Sequence, residues 1–226
     1  MLTRRHLRIK VMQSLYSFLQ NREGNLLKEV SFFKNSYLNT FSLYLTLLAF
    51  LKSIHEYSKN QTNLQKELRS KTFKPNLGNL VQNKILSFIA EHPLLIQHIK
   101  KRKIKFWELN FDYIKTNFKV LLESQKFQAY TQIETPSLED DRSIIAFFFK
   151  EIVAPSDDFY DYIEDIELTW VDDLPVVNTF LLKILNKIDP SDSNSLYFPE
   201  MNTGGEDSKF AIELLEKVVA NNDLLQ

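Results

Sequence analysis

Leu43, Leu47, Leu48, Leu51 and Ile54 recur at the spacing of one face of an α-helix. They lie in a segment from Leu26 to Leu68 that holds no Pro and no Gly. That pattern predicts one long helix, or two broken near Asn35 to Asn39. Lys74-Pro75-Asn76-Leu77-Gly78 is a breaker cluster. A helix from Leu80 to Glu91 follows, with Leu80, Ile85, Phe88 and Ile89 inward. Pro93 opens the next, since its missing N–H costs nothing in a first turn, and that helix runs to the basic stretch near Lys103. Trp107 to Ser124 carries a stripe of Trp107, Phe111, Ile114, Phe118 and Leu121. Ser137, Ser156 and the Asp172-Asp173-Leu174-Pro175 run mark further helix starts, with acids in the first turn favoured by the helix dipole. Val177, Phe180, Leu181, Ile184 and Leu185 share one face of a helix from Pro175 to Ile188. Asp189 to Asp207 reads as loop, and a last helix runs from about Asp207 to Asn222. No strand alternation is present, so the expected class is all-α, a multi-helix bundle.

The N-terminal segment predicts a helix of a different character. On a helical projection Met12, Leu15 and Leu19 form its apolar stripe, and Arg4, Arg5 and Arg8 fall on the same side. Guanidinium groups do not pack unpaired into a core. The first turns are therefore expected to project beyond the helical body, or Thr3 to Arg5 to be non-helical. Lys10 and Gln13 are placed on the outer face. Arginine forks suit phosphates and base edges, and single-stranded RNA is a natural ligand for such a cluster. The plainer alternative is a basic helix end that aids solubility.

Asp141 to Asp157 aligns without gaps on Asp207 to Asp223, with Asp141/Asp207, Val153/Val219, Ala154/Ala220 and Asp157/Asp223 identical. The first copy continues through Trp170 to Ile188, whereas the second stops at Gln226.

Composition narrows the chemistry. There is no Cys among the 226 residues, so neither disulfides nor thiolate zinc sites are available. The 4 glycines cannot form a GxGxxG or GxxxxGK loop. The 4 histidines form no HExxH, and no GxSxG is present. Ser31-x-x-Lys34 fits a loose SxxK pattern without its companion motifs. The clusters Glu139-Asp140-Asp141, Asp157-Asp158-Asp161, Glu164-Asp165-Glu167 and Asp172-Asp173 read as caps and solvated faces. No enzyme, cofactor or metal is expected. The basic N-terminus is interrupted by polar residues before an apolar run forms, so no export signal is read. Phe41 to Leu51 falls far short of the roughly 20 residues of a membrane span. A cytoplasmic protein without membrane contact is the expectation.

The net charge of −1 conceals a split: residues 1–130 hold 22 Lys/Arg against 8 Asp/Glu, and residues 131–226 hold 6 against 21. The expected organisation is a basic helical region over 1–130 and an acidic one over 131–226. Such halves fit a polyanion partner and a basic partner, or attraction between the halves within the fold.

Arg8-x-x-Val11-x-Gln13-x-Leu15-Tyr16-Ser17-Phe18, preceded by Arg4-Arg5, resembles the first helix of the NusB transcription antitermination family. Trp170-x-Asp172-Asp173, Val177-x-Thr179-Phe180-x-Leu182-Lys183 and Asp207-x-x-Phe210-Ala211-x-x-Leu214 resemble the longer form found in Bacteroidetes-type bacteria. The resemblance implies an all-helical RNA-binding protein with a long helical insertion, and no enzymatic activity. It implies binding of boxA-type single-stranded RNA, on ribosomal RNA operons above all, together with the small-subunit ribosomal protein NusE and the transcription elongation complex. Carried over by position, the RNA contacts are Arg4, Arg5 and Arg8, with Lys10 and Gln13 as further candidates; Tyr16 matches a family position that helix spacing also suits to packing. The family's closing Trp-x-x-x-Arg segment and last two helices have no counterpart here. The chain is therefore expected to lack C-terminal helices, which puts NusE binding in doubt.

A second basic run, Lys100, Lys101, Arg102, Lys103 and Lys105, precedes Phe106 and Trp107. Cations beside aromatics suit single-stranded RNA; the alternative is a solvated helix end with Trp107 in the core. A different reading of the whole chain is a helical protein–protein interaction module, without RNA binding, that works through its acidic half.

Overall fold

The computed structural model describes residues 4–20, 25–67, 76–199 and 206–220, with backbone alone at 65–67, 207 and 208. It is an all-α, multi-helix bundle, with no strand among the described residues. In chain order the helices are α1 (Arg4–Gln20), α2 (Leu26–Glu67), α3 (Gly78–Val81), α4 (Lys84–Glu91), α5 (Pro93–Arg102) and α6 (Phe106–Leu109). They continue with α7 (Phe111–Glu123), α8 (Gln125–Thr131), α9 (Leu138–Phe147), α10 (Asp157–Ile166), α11 (Leu174–Leu185) and α12 (Glu206–Ala220). A π-helical turn, Phe148–Val153, follows α9.

The chain divides into two compact units. One comprises residues 1–42 with 198–226, the other residues 43–197. The boundary thus falls elsewhere than at residue 130, because α12 packs on α1 and brings the two ends of the chain together. Charge follows this division poorly. Residues 1–42 hold 7 Lys/Arg and 2 Asp/Glu, and residues 198–226 hold 2 and 6, so that unit nets only +1. Each unit therefore combines part of the basic half with part of the acidic half.

α2 is continuous through Asn35 to Asn39. Asparagine lowers helix propensity by well under 1 kcal/mol, and burial of Phe33, Ser36 and Thr40 outweighs it. Thr40 Oγ1 also donates to the Ser36 carbonyl at 3.2 Å, one turn back. From Leu43 to Leu51 every residue is buried, so this stretch is hydrophobic all round, as a central core helix is. α2 is long and apolar enough for a membrane span, but most of its apolar stretch is buried inside the protein.

In the larger unit two predicted helices are interrupted. The Leu80 to Glu91 helix breaks at Asn83, whose side chain accepts from the Ile85 and Leu86 N–H groups at 3.1 and 2.9 Å and caps α4. Leu80, Ile85 and Ile89 are buried as read, but Phe88 only partly. The Trp107 to Ser124 helix breaks at Asn110, and Phe111 lies exposed. Its other stripe residues are buried. The Ser137 start forms a full capping box with Asp140, and Ser156 caps α10. The aromatic centre gathers Phe50, Trp107, Tyr113 and Phe159; Phe50 and Trp107 lie 4.9 Å apart. Trp107 Nε1 donates to the Thr46 carbonyl at 2.7 Å.

The two copies of the internal repeat differ in backbone. The first passes through the π turn, whereas the second is regular α-helix to Ala220; beyond that it lies outside the described residues.

Candidate functional site

α1 docks through Leu7, Val11 and Leu15. These meet Val30 and Phe33 of α2 and Ala211 and Leu215 of α12 in one apolar cluster. Burying each such side chain contributes about 1.5–3 kcal/mol, so the contact fixes the rotation of α1. That rotation differs from the expected one. Met12 and Leu19, assigned to the core stripe with Leu15, are exposed, Met12 at 66%. The phase is set instead by Leu7, Val11 and Leu15, a run of i, i+4, i+8 that competes with Met12, Leu15, Leu19 and is the one that meets Val30, Phe33, Ala211 and Leu215.

This rotation of α1 sets the placement of the arginines. α1 is helical from Arg4, while Thr3 lies outside the described residues. Arg4, Arg5 and Arg8 are all exposed. They therefore need neither projection beyond the bundle nor an unwound start. Arg5 and Arg8 share the outer face with Ile9, Met12 and Tyr16, and together with Gln13 these residues line a shallow open depression. Arg8 also lies over the Phe210 ring, with its guanidinium carbon 5.9 Å from the ring centroid, a cation–π distance.

Lys10 leaves this set. It is 4% exposed, and its Nζ donates to Ser36 Oγ at 2.8 Å. Its outer-face assignment fails for the same reason as the core assignment of Met12: the helix is rotated toward Leu7 and Val11. Gln13 is half-buried at the edge of the depression. Tyr16, which the sequence left between packing and contact, is 67% exposed. Its ring stands on the arginine face, available for stacking. The signal was present in the spacing, since Tyr16 lies about 180° from Leu7 on a helical projection.

The electrostatics of this helix end are one-sided. No acid occupies the first turn of α1. A helix N-terminus carries partial positive charge, and each cation there costs about 0.3–1 kcal/mol at an exposed site. Arg4, Arg5 and Arg8 add to that field rather than offsetting it. An anion bound here gains from both the arginines and the dipole.

Beside the arginines, Met12, Leu15, Tyr16, Phe18 and Leu19 form an apolar groove with Val218 and Val219 of α12.

The second basic run lies in the larger unit. Lys100, Lys101 and Arg102 form the last turn of α5, and Lys103 caps it. All three lysines, Arg102 and Lys105 are exposed. The aromatic part of that reading changes. Trp107 is buried, and the half-buried Phe106 packs edge-on against Trp170 with centroids 5.7 Å apart.

The acidic clusters are mixed. α10 exposes Asp157, Asp158, Asp161, Glu164 and Asp165 opposite the buried Phe159 and Ile163. Asp141 and Asp173, in contrast, are buried rather than solvated. Asp141 accepts from Tyr130 Oη at 2.6 Å and from the Lys84 N–H at 2.8 Å. Among the described residues no three His, Asp or Glu side chains converge as metal ligands.

Comparison of the chain with protein-family models, with curated proteins and with solved structures finds no match.

Proposed function

We propose that this chain is a NusB-like RNA-binding antitermination factor. In this reading the outer face of α1 holds a short single-stranded boxA-type element of nascent ribosomal RNA. The observation that carries it is the shared exposed face of Arg5, Arg8 and Tyr16, held outward by the docking of Leu7, Val11 and Leu15. The arginines grip phosphates or base edges as planar forks. Tyr16 offers one ring for base stacking, worth about 1–3 kcal/mol per base. Arg4 extends the positive field at the helix end. The motif resemblance over residues 4–18 and 168–188 supports the same reading, and with it NusE and the elongation complex as partners.

The test is fluorescence anisotropy with a boxA-like RNA, its scrambled version and an Arg4/Arg5/Arg8→Ala variant. Sequence-dependent binding by the wild type, lost in the folded variant, is the expected result. Equal binding of both RNAs that vanishes with salt reduces the face to a generic basic surface.

The second reading, a protein-interaction module without RNA binding, rests on the five exposed acids of α10. Under it the folded protein binds no RNA but retains a basic protein partner, and Ala substitution of Asp157, Asp158 and Asp161 releases that partner.

A further inference from the structure

The turn that ends α5 is unusually built. Lys103 adopts φ 54°, ψ 40°, the left-handed conformation that glycine or asparagine normally supplies at a helix end. The Lys103 N–H bonds to the Lys100 carbonyl at 3.3 Å and the Ile104 N–H to the Ile99 carbonyl at 3.1 Å. Ile104 is buried behind them. The turn is therefore pinned on its inner side and presents its cations outward. Lys100, Lys101 and Arg102 are favourably placed at the negative end of the α5 dipole. Lys103 and Lys105 lie past the helix end, and that explanation does not extend to them. None of the ion pairs among the described residues involves Lys100, Lys101, Lys103 or Lys105. The neighbouring His98 is held below the usual imidazole range by desolvation and by the charges of Arg102 and Lys101, as expected in a positive local field.

We propose that Lys100, Lys101, Lys103 and Lys105 form a second RNA site, one that binds the phosphate backbone and does not read bases. The inference rests on the RNA-binding reading of the protein and adds to it a site in the other unit. Its indifference to sequence follows from the aromatics. Trp107 is occupied in the core by Thr46, and the Phe106 ring packs on Trp170, which leaves the turn cations without the ring that base stacking needs. Four point charges on a rigid turn suit phosphates along a strand. A lipid surface is the competing polyanion, because the neighbouring Leu109 is exposed.

The experiment measures affinity of the full chain for a boxA-like RNA and for oligo-uridine across a salt series. It compares wild type, Lys100/Lys101/Lys103→Gln, Lys103→Gly and Arg5/Arg8→Gln. Each lost single-strand phosphate contact lowers the log–log salt slope by about 0.7. The triple variant is expected to flatten the slope by about 2 for both RNAs while leaving the preference between them unchanged. Lys103→Gly keeps the turn and is expected to flatten it by about 0.7, which guards against misfolding of the triple variant. Wild-type slopes in the folded lysine variants overturn the proposal. So does loss of binding to phosphatidylserine vesicles with RNA affinity intact, which moves the turn to a membrane. A normal response of the Arg5/Arg8 variant beside flattened lysine slopes sinks the α1 site and keeps this one; the reverse pattern sinks this site alone. Absence of RNA binding by the folded wild type at low salt removes both.

Discussion

The Lys10 ammonium donates to the Ser36 hydroxyl at 2.8 Å, and both residues are buried. A lysine in the arginine-rich segment is thus a structural tie between α1 and α2. Lys10→Ala removes its buried methylene stem and is expected to cost about 2 kcal/mol of stability. RNA affinity of the remaining folded protein should stay within about twofold of wild type. Urea denaturation beside anisotropy checks both; lost affinity with unchanged stability would return Lys10 to the binding face.

Tyr16→Ala behaves in the opposite way. Its side chain is 67% exposed, so the thermal midpoint should not move. RNA affinity should fall between about fivefold and a hundredfold, the range of one lost base stack. Tyr16→Phe should keep most of the affinity, because stacking needs the ring and not the hydroxyl.

Asp141 closes a buried polar knot. Its carboxylate takes the Tyr130 hydroxyl and the Lys84 N–H, and Asn83 Nδ2 reaches both Tyr130 Oη at 3.2 Å and the Asp141 carbonyl at 3.1 Å. Asp141→Ala takes the acceptor from the buried Tyr130 hydroxyl, which keeps only the Asn79 carbonyl at 3.0 Å, and from the part-buried Lys84 N–H. A loss of about 1–3 kcal/mol is expected in chemical denaturation. Tyr130→Phe removes the hydroxyl's contacts with Asp141, Asn83 and the Asn79 carbonyl and should cost about as much.

His55 predicts the acid response. Its ring is buried, with Nε2 3.0 Å from the Val81 carbonyl and Nδ1 without a hydrogen-bond partner. Desolvation holds its pKa below the usual 6.5, with Lys59 acting in the same direction and the Val81 contact against it. The unfolded chain therefore takes up a proton at higher pH than the folded one. Stability is full above about pH 6.5 and is lost as pH falls through the folded pKa. His98 adds in the same direction. Asp140 and Asp189, both lowered by hydrogen bonds from serines, act only in the more acidic carboxylate range. The thermal midpoint should drop between pH 7 and pH 5, and His55→Gln should shrink that drop.

Lys103→Gly should stabilise the larger unit. A Cβ in the left-handed region costs about 1–2 kcal/mol, and the added freedom of glycine in the unfolded chain returns about 0.4–1 kcal/mol. A net gain of about 0.5–1 kcal/mol is expected in denaturant melts.

The helical class and most helix starts were legible because capping is local: Ser137 and Ser156 announce α9 and α10 within four residues. Two breaks were hidden for the opposite reason. Asn83 ends one helix and starts another because its side chain is held by Tyr130 and Asp141, which lie 47 and 58 residues away. The rotation of α1 is not legible in its own segment because two apolar stripes compete there, and the contacts with α2 and α12 decide between them. Pairing of the chain ends leaves no trace in periodicity, and the charge split does not mark it either.

The π turn from Phe148 to Val153 holds one residue more than an α-helix would place there, marked by the Ala154 N–H reaching back five residues to Phe149 at 2.8 Å. The wider turn lets the adjacent Phe148 and Phe149 both sit in the core. It also makes this stretch the place where the chain can change length. Deleting the exposed Lys150 would let the backbone relax to regular α-helix. The flanking segments would keep their phase, whereas the same loss from a regular helix would turn them by about 100°; a single-codon loss here would pass without a change of helix phase.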